Sequence, residues 1–209
     1  MLRILIADDH TVVRKGLKQI LLDEFPTAEI EEVPDAEELI NKVMNATWDV
    51  VVSDLSMPGR SGLDALQQIK LSFPDLPVLI LSIHPEEQYA LRALKSGASG
   101  YLSKDTAPDE LVKAVQKVLL GKKYISQAIA EKLANTFSSG SSKSPHETLS
   151  DREFDVMKLL ANGKSVSEIA DMFSLSVTTV STYRARVMSK MDMKSNSDLT
   201  RYAIENNLI

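Results

Sequence analysis

Hydrophobic and polar residues follow two alternating patterns along the first part of the chain. Short apolar runs rich in valine, isoleucine and leucine predict strands that are buried on both faces of a sheet. Between these runs, apolar residues spaced three or four positions apart predict amphipathic helices. The five predicted strands cover residues 2–7, 28–33, 50–52, 77–82 and 98–102, and a predicted helix follows each one. Five such units in series predict an α/β fold with a doubly wound parallel sheet and helices on both faces.

The last part of the chain has a different pattern, which predicts only helices. Ser150 with Glu153, and Ser165 with Glu168, have the spacing of capping boxes that begin two helices. A tight turn follows the second of these, and the pattern then predicts a helix over 177–191 and a fourth over about 196–206. A short helix, a tight turn and a second helix predict a helix-turn-helix motif in an all-α domain.

A segment of different composition joins the two parts. The pattern predicts a short helix near residues 127–137, followed by a run rich in serine and glycine that ends near Pro145. Such a run is typical of a flexible linker. We therefore predict one domain over residues 1–121, a linker over 122–147 and a second domain over 148–209.

Composition excludes several kinds of chemistry. The chain has 209 residues, of which 44% are hydrophobic and 25% charged, and it contains no cysteine. Disulfides, thiol catalysis and cysteine-based zinc sites are therefore excluded. The three histidines, His10, His84 and His146, are scattered and do not suggest a histidine-ligated metal. Because no apolar run is long enough to span a membrane and the N-terminus is acidic too early for a signal peptide, we expect a cytoplasmic protein with no membrane partner.

Charge is unevenly distributed. The net charge of −5 arises in residues 1–147, since residues 148–209 carry eight basic and eight acidic side chains. Within that second part, residues 172–191 contain Arg184, Arg186 and Lys190 and no acid. An acidic protein with one locally cationic helix can bind nucleic acid there.

Three carboxylates stand where predicted strands end. Asp8 and Asp9 follow the first strand, and Asp54 follows the third. In a doubly wound sheet these strands are neighbours, so the three side chains should converge on one pocket. Like charges this close require a cation among them, and an all-oxygen ligand set favours Mg²⁺.

The same edge of the sheet offers groups that could bind a phosphoryl group. A carboxylate next to a metal ion is suited to forming an acyl phosphate, which makes Asp54 the predicted nucleophile. Ser82 ends the fourth strand and can donate a hydrogen bond to a phosphoryl oxygen. Lys104 follows the fifth strand and can pair with another such oxygen.

These residues resemble the receiver domain of response regulators. Residues 149–191 are similar to the LuxR-type helix-turn-helix domain, so the whole chain resembles the NarL/FixJ family. The resemblance implies a flavodoxin-like (βα)5 receiver followed by a four-helix LuxR-type domain. The receiver motif is carried here by Asp8, Asp9, Asp54, Pro58, Gly59, Ser82 and Lys104.

The resemblance also implies a mechanism. Asp54 would take a phosphoryl group from a sensor histidine kinase, with Mg²⁺ held by Asp9, Asp54 and the Ser56 carbonyl. Asp8 would hold the ion through water. Ser82 and Tyr101 would form a switch in which the hydroxyl moves to the phosphate and the ring follows inward; core packing is the alternative role of Tyr101. The protein would assist only its own phosphorylation and slow dephosphorylation.

The predicted helix over residues 177–191 would lie in the major groove of DNA. A single domain makes few phosphate contacts, so we expect a homodimer on two half-sites, with RNA polymerase as a further partner. Leu199, Tyr202 and Ile204 in the fourth helix are either a dimer surface or core. The predicted DNA-contacting residues are Thr178, Thr179, Ser181, Thr182, Arg184, Arg186 and Lys190.

Some positions depart from the family pattern. Asp105 follows Lys104 where many receivers have proline, so no cis peptide bond is expected there. Ser181 and Tyr183 stand where many members carry lysine and histidine, which affects the DNA sequence that is bound.

Two alternative functions remain open at this point. An aspartyl-phosphatase would also use Asp54 as a nucleophile, but it would need an acid two residues later, where this chain has Ser56. The other alternative is DNA binding without phosphorylation, with the first domain serving only for dimerisation.

Overall fold

The computed structural model of the protein describes residues 1–127, 129–131 and 144–209. Contacts between residues divide the chain into two compact units, Met1–Ser139 and Gly140–Ile209. Most of the predicted helix at 127–137 and most of the predicted serine- and glycine-rich linker lie outside the described residues. No helix in the described ranges is both long and apolar enough to cross a membrane.

The N-terminal unit is built on a parallel five-stranded sheet with the strand order β2-β1-β3-β4-β5. This arrangement confirms the predicted α/β fold, and the order reverses direction between β1 and β3. The strands are β1 (Arg3–Ala7), β2 (Glu29–Val33), β3 (Val50–Asp54), β4 (Val78–Ser82) and β5 (Gly100–Ser103). The helices are α1 (Thr11–Glu24), α2 (Ala36–Asn45), α3 (Gly62–Ser72), α4 (Glu86–Lys95) and α5 (Ala107–Leu119).

Strand boundaries differ from the sequence prediction by one or two residues, and two of these differences have a clear physical cause. The third strand extends beyond its valine run to Asp54, because that residue still pairs with Leu81 of β4. The fifth strand begins at Gly100 rather than at residue 98, since the N–H of Ala98 still bonds to the carbonyl of Ala93 in α4.

The middle of the sheet is the centre of the core. Every residue of β3 and β4 is buried, as expected for strands that are covered by helices on both faces. Asp35 begins α2 with a side-chain cap, and Ser61 begins α3 with a capping box. The Ser61 capping box fixes where α3 begins after the loop that follows Asp54.

The described part of the C-terminal unit contains a short 3₁₀ helix (Pro145–Thr148) and four α-helices. The predicted capping boxes at Ser150 and Ser165 are confirmed, and the predicted bounds of the third helix match the structure. Ser174 has a positive φ of 54° and ends the second helix, which makes the tight turn of the helix-turn-helix motif. The helices are α6 (Asp151–Ala161), α7 (Val166–Phe173), α8 (Val177–Met191) and α9 (Asn196–Glu205).

Candidate functional sites

The carboxyl ends of β1 and β3 bring two buried acids together. Asp8 follows β1 directly and Asp54 is the last residue of β3, and their exposed fractions are 0% and 3%. Lys104, which follows β5, lies between them. Its Nζ is 2.7 Å from Asp8 Oδ2 and 2.9 Å from Asp54 Oδ2. The structure thus brings Asp8, Asp54 and Lys104 together at this edge of the sheet.

Burial and ion pairing shift the pKa values of Asp54 and Lys104 in opposite directions. Burial raises the pKa of Asp54, and the hydrogen bond from Lys104 only partly offsets that effect. Burial acts to lower the pKa of Lys104, but its hydrogen bonds to Asp8 and Asp54 outweigh burial and raise it. The lysine therefore stays charged, and it provides the positive charge that the buried carboxylates need.

Asp9 and His10 extend the acidic pocket towards solvent. His10 Nδ1 lies 2.7 Å from Asp9 Oδ1, and the backbone N–H of His10 donates to Asp8 Oδ1 at 2.8 Å. One ligand atom from each of Asp8, Asp9, His10 and Asp54 lies within 4.8 Å of the others. Three carboxylates are the donors that Mg²⁺ prefers, so these residues fit that ion. The scattered histidines do not predict a histidine-ligated metal, although the position of His10 directly after two acids is a usable signal.

The loop after β3 depends on a glycine that the sequence reasoning did not explain. A Cβ atom on Gly62 would overlap the carbonyl oxygen of Asp54, so α3 can begin this close to the strand only without a side chain there. In the same loop, Gly59 has a φ of +71°, and the backbone N–H of Ser56 donates to Asp54 Oδ1 at 3.3 Å. The loop therefore holds Ser56 against the carboxylate of Asp54.

Ser82 and Tyr101 are both bonded to one loop residue, His84. Ser82 is fully buried, and its Oγ accepts a hydrogen bond from the His84 backbone N–H at 3.0 Å. Tyr101 is 2% exposed, and its hydroxyl donates to the His84 carbonyl at 3.0 Å. Burial raises the pKa of Tyr101 well above its ordinary value, so the hydroxyl remains a donor. The tyrosine ring occupies an inward position in this structure.

His84 also reaches the loop after β3. Its Nε2 lies 2.9 Å from Ser56 Oγ, and its ring stacks on Tyr89 with the ring centroids 4.8 Å apart. The loop after β4 is thereby joined to the loop after β3 beside Asp54. The described residues contain no cis peptide bond, as the sequence led us to expect for Lys104–Asp105.

The third helix of the C-terminal unit presents a polar face to solvent. Val180, Val187 and Met191 are buried against the rest of that unit. On the opposite face the exposed residues are small or hydroxyl-bearing, with one arginine, and they include Thr178, Ser181, Thr182, Ala185 and Arg186. Thr179 is partly exposed, and its N–H bonds to the Ser176 cap.

The other two predicted cations of this helix are bonded within the unit. Arg184 Nε donates to Asn196 Oδ1 at 3.1 Å. Lys190 Nζ lies 2.6 Å from Glu153 Oε2, and the Glu153 side chain is almost fully buried. The three cations thus differ: Arg186 is exposed, Arg184 is oriented by an amide, and Lys190 neutralises a buried acid.

Two-domain response regulators combine an α/β unit that accepts a phosphoryl group with a unit that binds DNA. The α/β unit with its acidic pocket and the helical unit with its helix-turn-helix motif place the chain in that class. Residues 4–116 match the response regulator receiver domain, and residues 147–203 match the bacterial regulatory proteins of the luxR family. The chain belongs to the NarL/FixJ family of response regulators, which are DNA-binding transcription regulators of two-component systems. The predicted family is confirmed.

Relatives align with the chain over its whole length. The response regulator UvrY of Escherichia coli (strain K12) is 35% identical over 209 residues, which are 100% of this chain and 96% of UvrY. The oxygen regulatory protein NreC of Staphylococcus carnosus (strain TM300) is 37% identical, covering 100% of this chain and 99% of NreC. A solved structure of RcsB from Salmonella enterica serovar Typhimurium, bound to promoter rprA in the presence of phosphomimetic BeF₃⁻, has a TM-score of 0.61 at 27% identity. That alignment covers 97% of this chain and 98% of the RcsB chain.

Proposed function

We propose that Asp54 accepts a phosphoryl group from a sensor histidine kinase, and that this modification controls dimerisation and promoter binding. The observation that carries the proposal is the ion-paired group at the sheet edge. Lys104 bridges Asp8 and Asp54, and Asp54 is buried at the end of β3. A bound cation beside a carboxylate at this position suits phosphoryl transfer to that carboxylate.

In the proposed step, a carboxylate oxygen of Asp54 attacks the phosphorus atom of the donor. A bond between that oxygen and phosphorus forms, and the bond from phosphorus to the leaving group breaks. Lys104 would then pair with one phosphoryl oxygen, and Ser82 would donate a hydrogen bond to another. Asp9, Asp54 and the Ser56 carbonyl would hold Mg²⁺, with Asp8 bound through water. When bound, Mg²⁺ neutralises charge on the phosphoryl oxygens.

Both members of the proposed switch pair are bonded to His84. If Ser82 turns its hydroxyl to the phosphoryl group, the backbone N–H of His84 loses its hydrogen bond to Ser82. The carbonyl of the same residue accepts the hydrogen bond from Tyr101, so the change at Ser82 can reach the tyrosine. Phosphorylation adds about −1.5 to −2 charges at this point, which favours the loop arrangement with more donors aimed at it. The proposed consequence is a changed surface around α4 and β5.

We propose that the signal passes from a receiver over residues 1–121, through a linker over 122–147, to a DNA-binding domain over 148–209. The separate family matches and the contact division after residue 139 support this arrangement. The role requires a cytoplasmic location, because promoter DNA is found there.

The proposed DNA interface is the polar face of α8 in the major groove. The small exposed side chains allow close approach, and Arg186 can reach a guanine edge or a phosphate. The solved structure of RcsB bound to promoter rprA supports binding of promoter DNA by this chain. An operator with two half-sites would require a homodimer. Ile204 of α9 is 61% exposed and is available for such pairing, whereas Leu199 is buried in the core. RNA polymerase is a further proposed partner. The proposed contacts are Thr178, Thr179, Ser181, Thr182, Arg184, Arg186 and Lys190.

The proposal is tested by incubating the full-length protein and Asp54→Ala with acetyl phosphate and Mg²⁺. Intact-mass spectrometry should show one acid-stable, base-labile phosphoryl group on the wild type and none on the variant. Size-exclusion chromatography should show a shift to dimer only in the phosphorylated wild type. Rapid consumption of the donor without a stable adduct would favour a phosphatase and contradict the proposal.

A further inference from the structure

The acidic pocket holds a nitrogen ligand beside its carboxylates. His10 Nδ1 lies 2.7 Å from Asp9 Oδ1 and 3.3 Å from Asp8 Oδ1. The backbone N–H of His10 donates to that same Asp8 oxygen at 2.8 Å, which fixes the residue at the start of α1. With Asp54, these residues place four ligand atoms within 4.8 Å of one another.

The spacing of these atoms suits an octahedral ion. With metal–ligand bonds of about 2.1 Å, adjacent ligands of such an ion lie about 3 Å apart. The separations of 2.7 Å and 3.3 Å from His10 Nδ1 to Asp9 and Asp8 lie on either side of that distance. One ion could therefore contact the imidazole and a neighbouring carboxylate with only small side-chain movements.

The two sides of the pocket use different carboxylate oxygens. Lys104 contacts Oδ2 of Asp8 and Oδ2 of Asp54. His10 faces Oδ1 of Asp8, and Ser56 donates its N–H to Oδ1 of Asp54. The lysine is therefore not paired with Oδ1 of either carboxylate, and each Oδ1 accepts one backbone N–H.

We propose that His10 Nδ1 binds Co²⁺ or Ni²⁺ directly when such an ion occupies this pocket, and that it thereby gives the site a preference for these ions over Mg²⁺. Mg²⁺ selects oxygen ligands, whereas imidazole suits later first-row ions. The inference rests on the proposed function, because it requires that the pocket binds a divalent ion. The His10 side chain is 66% exposed, so it can be replaced without disturbing the core.

The test compares Mg²⁺ and Co²⁺ binding to the full-length protein by isothermal titration calorimetry at one fixed pH. The variants are His10→Gln, which keeps a polar side chain, and His10→Ala, which removes it. His146→Gln, in the C-terminal unit, is the control for loss of a histidine elsewhere. We expect both His10 variants to lose about tenfold or more in Co²⁺ affinity and to keep their Mg²⁺ affinity within about twofold.

Each other outcome overturns the inference in a recognisable way. Equal loss of Mg²⁺ and Co²⁺ affinity would show that His10 only orients Asp9 by a hydrogen bond. Unchanged affinities for both ions would show that His10 is a surface histidine. If the wild type bound neither ion, or if Asp9→Asn bound both as well as the wild type does, the proposed Mg²⁺ site itself would be wrong.

Discussion

Lys104 Nζ lies 2.9 Å from Asp54 Oδ2, and the two residues are 50 positions apart in the chain. This ion pair holds the proposed nucleophile, Asp54, beside an ammonium group. That group can neutralise a phosphoryl oxygen without a metal. The same ammonium group contacts Asp8, so it stabilises both buried carboxylates. Lys104 is thus proposed to act both on the charge balance of the pocket and on the transferred group.

Replacing Lys104 should therefore slow phosphorylation. Lys104→Met keeps the length of the side chain but removes its charge, and we expect phosphorylation by acetyl phosphate to be about 100-fold slower. Acid-quenched mass spectrometry over time measures the rate. Lys113→Met removes an exposed lysine from α5 and should leave the rate unchanged. An unchanged rate in Lys104→Met would remove Lys104 from the mechanism.

The close approach of α3 to β3 should make Gly62 intolerant of any side chain. In Gly62→Ala, the added Cβ would overlap the Asp54 carbonyl, and we expect a loss of about 2–3 kcal/mol in the free energy of unfolding. Gly16→Ala is the matched control, because no atom lies within 4 Å of a Cβ there. Since Gly16 lies inside α1, that control should gain about 0.5–1 kcal/mol.

Urea unfolding followed by tryptophan fluorescence measures both variants. Trp48 is the single tryptophan of the chain and is 8% exposed, so its signal reports on the N-terminal unit. Equal stability of Gly62→Ala and the wild type would mean that the start of α3 shifts freely, and the position of Asp54 would then not depend on this contact.

The Glu153–Lys190 pair should give the C-terminal unit a pH-dependent stability. Burial acts to raise the pKa of Glu153, but hydrogen bonds from Lys190 and Ser150 outweigh it and lower the pKa below its ordinary value of 4.5. A carboxyl group with a lowered folded pKa contributes stability above its unfolded pKa, and that contribution is lost as the pH falls through its folded pKa. Glu153→Gln should therefore cost about 1–2 kcal/mol at pH 7 and progressively less below about pH 4.5.

Urea titrations followed by the ¹³C-methyl NMR signal of Met157, which is fully buried in α6, measure this difference. Lys190→Met should reproduce the loss at pH 7, and the double variant should lose less than the sum of the two single losses. A difference between Glu153→Gln and the wild type that does not change with pH would contradict the assignment to this ion pair.

Asn196 should affect DNA binding through Arg184. The Asn196 amide oxygen accepts the Nε hydrogen of Arg184 and so orients the guanidinium group. On a duplex selected by the phosphorylated wild type from a random library, we expect Arg184→Ala and Asn196→Ala each to lose about 1 kcal/mol of binding free energy. Fluorescence anisotropy measures the affinities, and the double variant should lose no more than Arg184→Ala alone.

Asn206→Ala, at the end of the same helix, is the control and should bind as the wild type does. Losses that add up fully in the double variant would show that Asn196 acts independently of Arg184.

Arg186→Ala should weaken binding to all sequences and reduce the salt dependence by about one released ion, if this exposed arginine contacts a phosphate.

The fold was largely predictable because periodicity reports directly on burial. The valine run before Asp54 favours a strand covered on both faces, and its end predicts the edge of the sheet at which ligands bind. The serines that begin α6 and α7 were recognisable because a capping box is local in sequence. The strand-end acids and Lys104 form one motif that indicates the receiver domain, and residues 149–191 add the LuxR-type resemblance that completes the family prediction.

Side-chain partners were not predictable from periodicity. A helical pattern shows which face of α8 is polar, but it does not show that Lys190 meets Glu153, 37 residues earlier in the chain. The same holds for Arg184 and Asn196, which belong to different helices. The spacing of the histidines from one another does not indicate His10, whose neighbours in the pocket are Asp8 and Asp9.

The central claim is that phosphorylation of Asp54 controls DNA binding, and one measurement tests it most directly. The affinity of the full-length protein for the selected duplex is measured by fluorescence anisotropy, with and without acetyl phosphate and Mg²⁺, for the wild type and for Asp54→Asn. The proposed mechanism predicts that the donor raises wild-type affinity by about 5–150-fold, as for typical coupling between two sites, and leaves Asp54→Asn unchanged. An unchanged wild-type affinity on addition of the donor, with phosphorylation verified by intact mass, would contradict it. An equal increase in affinity in Asp54→Asn would contradict it as well.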